Sequence, residues 1–341
     1  CGYHKTGSSF LQTVFAKNRE YLLSNKIYYP ISKYDKDMLE AKISPGNGME
    51  LVTALRNKDN SKILDLLESW IKDAHKNNAD LILLSSEGFF HTFSNNKLLE
   101  LFTDCCKQLA ITAIDGLLFY RDPLDHALSV YKHRGKNGKI SSFNEWINNH
   151  YETLMLTGKF LDFFKDFSIN WSFRKYNSNS LLLNQAVFND WLKIESPKID
   201  NIDRVNVSLT LSEVLTISRL KNVIPDESIK DIYTSLITIP VKTKPNENPL
   251  KEYYSRICYE VFKKDGDIIE KINNQLPEKE HLIVHNVSSD KQLTESAILS
   301  TTQLDIIFKS IKRSKSFNIL YRTLLNKVKK IIVKVLKIKR V

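Results

Sequence analysis

Three short segments carry residues whose types and spacing suit the handling of anions and protons. The first opens the chain and reads C-G-Y-H-K-T-G-S-S-F. Gly7 lets the backbone turn tightly and approach a ligand. Ser8 and Ser9 are predicted N-caps of a following helix. A loop that feeds a helix N-terminus presents unpaired N–H groups to an anion, and Lys5 adds a formal positive charge. Lys5, Thr6, Gly7, Ser8 and Ser9 therefore form a phosphate cradle. Gly2 and Gly7 have the Walker A spacing, but Ser8 stands where that motif needs its lysine. Kinase or ATPase chemistry would lose its contact to the outer phosphates.

The second segment is R-D-P-L-D-H-A-L-S-V-Y-K-H, from Arg121 to His133. Asp122 and Pro123 are suited to a helix start. Leu124, Ala127, Leu128 and Tyr131 give a buried stripe at helical spacing, with Asp125, Ser129, Lys132 and His133 on the other face. An arginine fork and a hydroxyl make a suitable pair for a phosphate. A structural alternative pairs Arg121 with Asp125.

The third is S-E-G-F-F, in which Glu87 follows an apolar run. A carboxylate there, partly buried, is placed to serve as a general base. A plain helix-terminal glutamate is the alternative. His91, His126 and His133 are rival bases, and His4 reads as a structural part of the first loop.

H-K-T-G-S-S-F-L-Q resembles the 5′-phosphosulfate loop of sulfotransferases, above all the bacterial and carbohydrate-acting branches, and R-D-P-x-x-x-x-x-S-x-Y resembles their 3′-phosphate segment. The resemblance implies a donor, 3′-phosphoadenosine 5′-phosphosulfate (PAPS), and no metal. It implies that Thr6, Gly7, Ser8 and Ser9 hold the 5′-phosphate and that Lys5 contacts the bridging oxygen. Arg121 and Ser129 would grip the 3′-phosphate, and Glu87 would take the acceptor proton. The acceptor implied is a carbohydrate or glycolipid hydroxyl or amine. Where several family members carry a lysine after the glutamate, Gly88 stands here. Residues 204–210 (RVNVSLT) resemble a segment found downstream in bacterial members, whereas no R-K-G lid is visible. The rival function is a non-catalytic nucleotide-binding protein.

These segments need elements to position them. Apolar runs at 80–85, 114–120 and 169–176 are predicted strands, and 10–24, 63–74, 96–109, 123–133 and 181–194 are predicted helices. Strand–helix alternation implies a parallel sheet covered on both faces, with ligands at the carboxyl ends of the strands. The fold expected is α/β: a P-loop NTPase-like parallel sheet flanked by helices, with a helical C-terminal part. One domain would cover 1–305, with its first strand, ahead of the loop, truncated. A loop is expected at 240–249, and 281–285 fits a strand or a helix end equally.

The net charge of +11 is concentrated at one end. Residues 309–341 hold twelve Lys or Arg and no Asp or Glu, which leaves 1–308 at −1. That balance disfavours nucleic acid as a partner of the body. Apolar residues from Phe317 to Leu336 recur at helical spacing among lysines, so 306–341 reads as a basic amphipathic helix. It suits an anionic membrane surface, and equally packing on the body or on a second subunit. Oligomeric state stays open. The basic stretch 134–139 reads as a solvated loop. Cys1, Cys105, Cys106 and Cys258 lack C-x-x-C spacing, implying reduced thiols, a cytoplasmic setting and no zinc site.

Overall fold

A computed structural model describes residues 5–136, 140–197, 209–221, 224–239, 244–284 and 295–313. In chain order its elements are α1 (Ser8–Lys17), α2 (Arg19–Ser24), β1 (Ile27–Tyr28), α3 (Asp35–Leu39), α4 (Met49–Asn57), α5 (Asn60–Lys76), β2 (Leu81–Ile82), α6 (Gly88–Phe93) and α7 (Asn96–Gln108). Next come β3 (Asp115–Tyr120), α8 (Pro123–Gly135), α9 (Phe143–Asn149), α10 (Thr153–Phe163), β4 (Asn170–Lys175) and α11 (Ser180–Gln185), which runs into a π-helical turn, Ala186–Trp191. Then follow α12 (Leu211–Leu220), α13 (Asp226–Leu236), α14 (Asn248–Phe262), α15 (Gly266–Asn273) and α16 (Thr301–Arg313).

The fold is broadly α/β and mostly helical. The strands form two parallel pairs rather than one continuous sheet. β1 pairs with β2, Ile27 opposite Leu81, and β3 pairs with β4, from Asp115 opposite Asn170 to Tyr120 opposite Lys175. The run at 80–85 was expected to be strand throughout, but the ladder ends at Ile82. Pro30 lacks an N–H and sits where β1 would have to continue. The Asn47 side chain takes over: its Nδ2 donates to Leu83 O (3.1 Å) and its Oδ1 accepts from Ser85 N (2.7 Å). The predicted helix at 10–24 is broken at Asn18, whose φ of −111° separates α1 from α2.

The chain divides into two compact units. The first comprises Cys1–Asp122, Glu152–Asn206 and Asp265–Ile283. One apolar cluster joins its parts: Leu11, Val14 and Phe15 of α1, Leu83 after β2, Leu117 and Phe119 of β3, and Val187 and Phe188 of the π-helical turn. The β3–β4 pair is locked on its other face, where the Tyr120 and Phe173 rings stack 5.7 Å apart. The Trp171 ring lies across Gly116, where a Cβ would come within 2.3 Å of it.

The second unit comprises Pro123–Tyr151, Val207–Lys264 and Val284–Val341. Its aromatic core packs Tyr131 of α8 edge-on against Phe143 of α9, which sits 4.3 Å from Tyr254 of α14. A capping box starts α12, with Thr210 and Glu213 bonded reciprocally. The Glu213 carboxylate also meets Lys244 Nζ at 3.0 Å, in a pair whose side chains are 0% and 2% exposed, and accepts from Gln303 Nε2 of α16 (2.7 Å). Replacing Lys244 by methionine strands a buried carboxylate and is expected to cost about 3–5 kcal/mol. Adding Glu213→Gln should recover most of that loss. Urea unfolding of the single and double variants measures both, and equal midpoints for wild type and Lys244→Met would refute the assignment.

Of the loop expected at 240–249, residues 244–247 lie outside regular elements but Asn248 and Pro249 already belong to α14, whose first turn suits a proline, and residues 281–284 form neither strand nor helix. α16 crosses the boundary expected at 305/306. The amphipathic pattern at 317–341 lies outside the described residues.

Candidate functional site

The first loop coils through two left-handed positions, Lys5 (φ 67°) and Gly7 (φ 80°). At Gly7 a side chain is excluded twice over. Its φ disfavours one, and a Cβ would lie 2.7 Å from Leu183 and 2.9 Å from the Tyr176 ring. Gly7, not Ser8 or Ser9, is the N-cap of α1, and no side chain caps that end. Helix α1 therefore starts one turn-forming residue earlier than its serines suggested. Thr6 and Ser9 are buried.

The Ser8 hydroxyl goes elsewhere: it donates to Glu87 Oε1, 79 residues away in sequence. Glu87 is half-buried and stands at the N-terminal boundary of the six-residue helix α6. Two loops hold it there. Ser85 O accepts from Gly48 N (3.1 Å), and Gly46, at φ 87°, leaves no room for a Cβ, which would come within 2.0 Å of Ser85 O. Beside Gly88 a cation arrives: Arg56 of α4 donates to Gly88 O (3.2 Å) and to Thr92 Oγ1 (3.0 Å). No local pattern pointed to Arg56, because it enters from a helix 32 residues away.

Arg121 leaves the carboxyl end of β3 and reaches the first loop. Its Nη1 donates to Lys5 O at 2.9 Å, across 116 residues of sequence, and its guanidinium lies 5.3 Å over the Tyr176 ring. Among the described residues no carboxylate pairs with Arg121. Asp125, the alternative partner, pairs with Lys251 within the second unit (3.1 Å). Asp122 was expected to cap α8, but its carboxylate accepts from Ile283 N (3.3 Å) and pairs with Lys175 Nζ (3.0 Å). Tyr176 was read only as the end of a strand. It closes the back of Gly7 and the face of Arg121, a role no spacing rule signals.

Ser129 lies half-buried on α8, in the second unit. Of its predicted neighbours, Ala127, Leu128 and Tyr131 are buried as expected, while Leu124 is half-buried. The rival bases separate by environment. His126 is only 1% exposed and its Nδ1 lies 2.7 Å from Tyr151 OH, a satisfied core histidine. His91 and His133 are exposed. His4, residues 204–208 and residues 137–139 lie outside the described residues.

A cavity opens next to the loop. Thr6, Ser8, Ser85 and Ser86 supply its polar wall, and Leu83, Leu117 and Phe119 its apolar one. One turn beyond Ser8 on α1, Gln12 is fully buried, and neither its amide nitrogen nor its oxygen has a hydrogen-bond partner among the described residues. The uncapped start of α1, the hydroxyls of Thr6 and Ser8 and the guanidinium of Arg121 form a donor set suited to phosphate oxygens.

The cysteines offer no competing chemistry in what is described. Cys105 and Cys106 are both buried, where one of the two was expected to face the core, and Cys258 is buried as well. Burial pushes the Cys106 thiol up to about 12, far from a reactive thiolate at neutral pH. Among the described residues no group of three His, Cys, Asp or Glu could hold a metal ion, and no helix is long and apolar enough to cross a membrane. Comparison with family models, with curated proteins and with solved structures found no match to this chain.

Proposed function

We propose that this chain is a sulfotransferase that moves a sulfuryl group from PAPS to a hydroxyl or amine of a carbohydrate or glycolipid. The observation that carries the reading is the Arg121–Lys5 contact. The two segments with anion-binding character meet, although they are far apart in the chain. Thr6, Gly7, Ser8 and Ser9 would hold the 5′-phosphate at the start of α1, where donors are uncapped. Arg121 would take the 3′-phosphate, to which the sequence resemblance also assigns Ser129. Lys5 would neutralise charge gathering on the bridging oxygen, and Glu87 would accept the proton of the attacking group. In that step the acceptor oxygen or nitrogen bonds to sulfur. The bond from sulfur to the bridging oxygen breaks, and its electron pair stays on the 5′-phosphate. Such catalysis is positioning and electrostatics, and the proposal assigns no role to a metal.

A P-loop-like fold is part of the proposal. What supports it is the two parallel strand pairs, with Leu83 after β2 and Leu117 and Phe119 of β3 in one apolar cluster with α1. The basic amphipathic pattern at 317–341 supports peripheral contact with an anionic membrane from the cytoplasmic side, near a lipid-borne acceptor. Nucleic acid is not a proposed partner.

Calorimetry with the desulfated product, 3′-phosphoadenosine 5′-phosphate (PAP), against ADP tests the donor assignment. PAP is expected to bind at least about tenfold more tightly, because one well-formed charge-assisted contact to the 3′-phosphate suffices for that ratio. Equal affinities, or none for PAP, would overturn it. Labelled-sulfate transfer onto a glycan panel then separates an enzyme from a non-catalytic nucleotide-binding protein.

A further inference from the structure

We infer that Tyr176 is a positioning residue for the donor site, which aims Arg121 and so gives the site its preference for a 3′-phosphorylated nucleotide. This rests on the donor reading given above and names a residue behind its selectivity. Tyr120 and Lys175 are the last pair of the β3–β4 ladder, and Tyr176 N donates to Tyr120 O just beyond it. Arg121 and Tyr176 therefore leave the two strands side by side, and the guanidinium lies over the ring, 5.3 Å from its centroid. The same ring backs Gly7, where a Cβ would lie 2.9 Å from it. One side chain thus touches both the turn of the first loop and the arginine that reaches that loop at Lys5 O. A ring face attracts a guanidinium without accepting from its N–H edges. A carboxylate in that place would accept from the fork and compete with phosphate. The ring and the Lys5 carbonyl together hold Arg121 in one orientation and leave its other N–H edges to a ligand. Without the ring, the long side chain regains rotamer freedom, and a contact to the 3′-phosphate has to overcome it. The turn itself keeps a second support, because a Cβ at Gly7 would also lie 2.7 Å from Leu183.

Calorimetry on the full chain with PAP and with AMP, which differ by the 3′-phosphate alone, reads the effect. Tyr176→Leu is expected to lower the preference for PAP over AMP about tenfold, the value of one charge-assisted contact, while AMP affinity stays within about threefold of wild type. Tyr176→Phe keeps the ring face and should keep the preference. In an Arg121→Ala background, Tyr176→Leu should change the preference by no more than about twofold, because the group it aims is gone. Tyr176→Met, whose flexible chain refills the same space, serves if the leucine variant does not fold, and should lose the preference to the same extent. Equal losses of PAP and AMP affinity would make the ring a general support or a nucleobase contact. That result, an unchanged preference without the ring, a loss of preference in Tyr176→Phe, or an undiminished effect in the Arg121→Ala background overturns the inference and leaves the donor reading standing. A wild-type chain that binds PAP no better than AMP overturns both.

Discussion

Exchanging Glu87 for glutamine is expected to lower sulfuryl transfer about 10²–10⁴-fold, the usual loss when a positioned general base is removed. The expected signature is divergent. Turnover falls while PAP affinity holds, because glutamine keeps a side-chain oxygen that can accept from the Ser8 hydroxyl. Damage to the site would weaken both. The effect is read as transfer of labelled sulfate from PAPS to a glycan, with PAP titrations on the same preparations. Unchanged turnover would remove Glu87 from the mechanism. Of the histidines, His91 and His133 would then become the bases to test, since His126 is buried against Tyr151.

Removing the Lys5 side chain is expected to cut transfer at least about 10²-fold, as loss of a single preorganised charge at a departing oxygen does elsewhere. The backbone at Lys5 complicates the experiment and also supplies its control. Its carbonyl receives Arg121, and its φ of 67° disfavours any side chain. Lys5→Ala keeps both features and deletes only the charge. Lys5→Gly deletes the charge and relieves the backbone. Both should lose transfer to the same extent, while Lys5→Gly should melt no lower than Lys5→Ala. Full turnover in either variant would show that Lys5 is not needed for charge stabilisation.

These two residues stand at opposite ends of what could be foreseen. The loop around Lys5 is local chemistry: a flexible glycine, small hydroxyl residues and an amphipathic helix lie within a dozen positions, so its helix and a tight turn at Gly7 follow from neighbouring residues alone, while the left-handed Lys5 does not. β3, β4 and helices α5, α7 and α8 are legible for the same reason, since continuous apolar runs and helical spacing report short-range order. β1 was missed because two residues carry no period. It exists only through its ladder to Leu81 and Ile82. β2 was read too long because periodicity does not register that Pro30 ends the partner strand and that Asn47 replaces it.

The sequence by itself pointed to most of the longer helices and strands and to the segments whose residue types suit anions and protons, since both depend on residues within a turn or two of one another. Tertiary structure alone decided their partners. It put the Ser8 hydroxyl on Glu87 instead of on its own helix end, turned Asp122 from a cap into the partner of Lys175, and brought Arg121 to the Lys5 carbonyl. Each of these contacts spans more than fifty residues, and a lone hydroxyl, carboxylate or guanidinium has several partners of similar strength. Which one it takes is set by the packing that brings distant loops together, and that packing has no local signature.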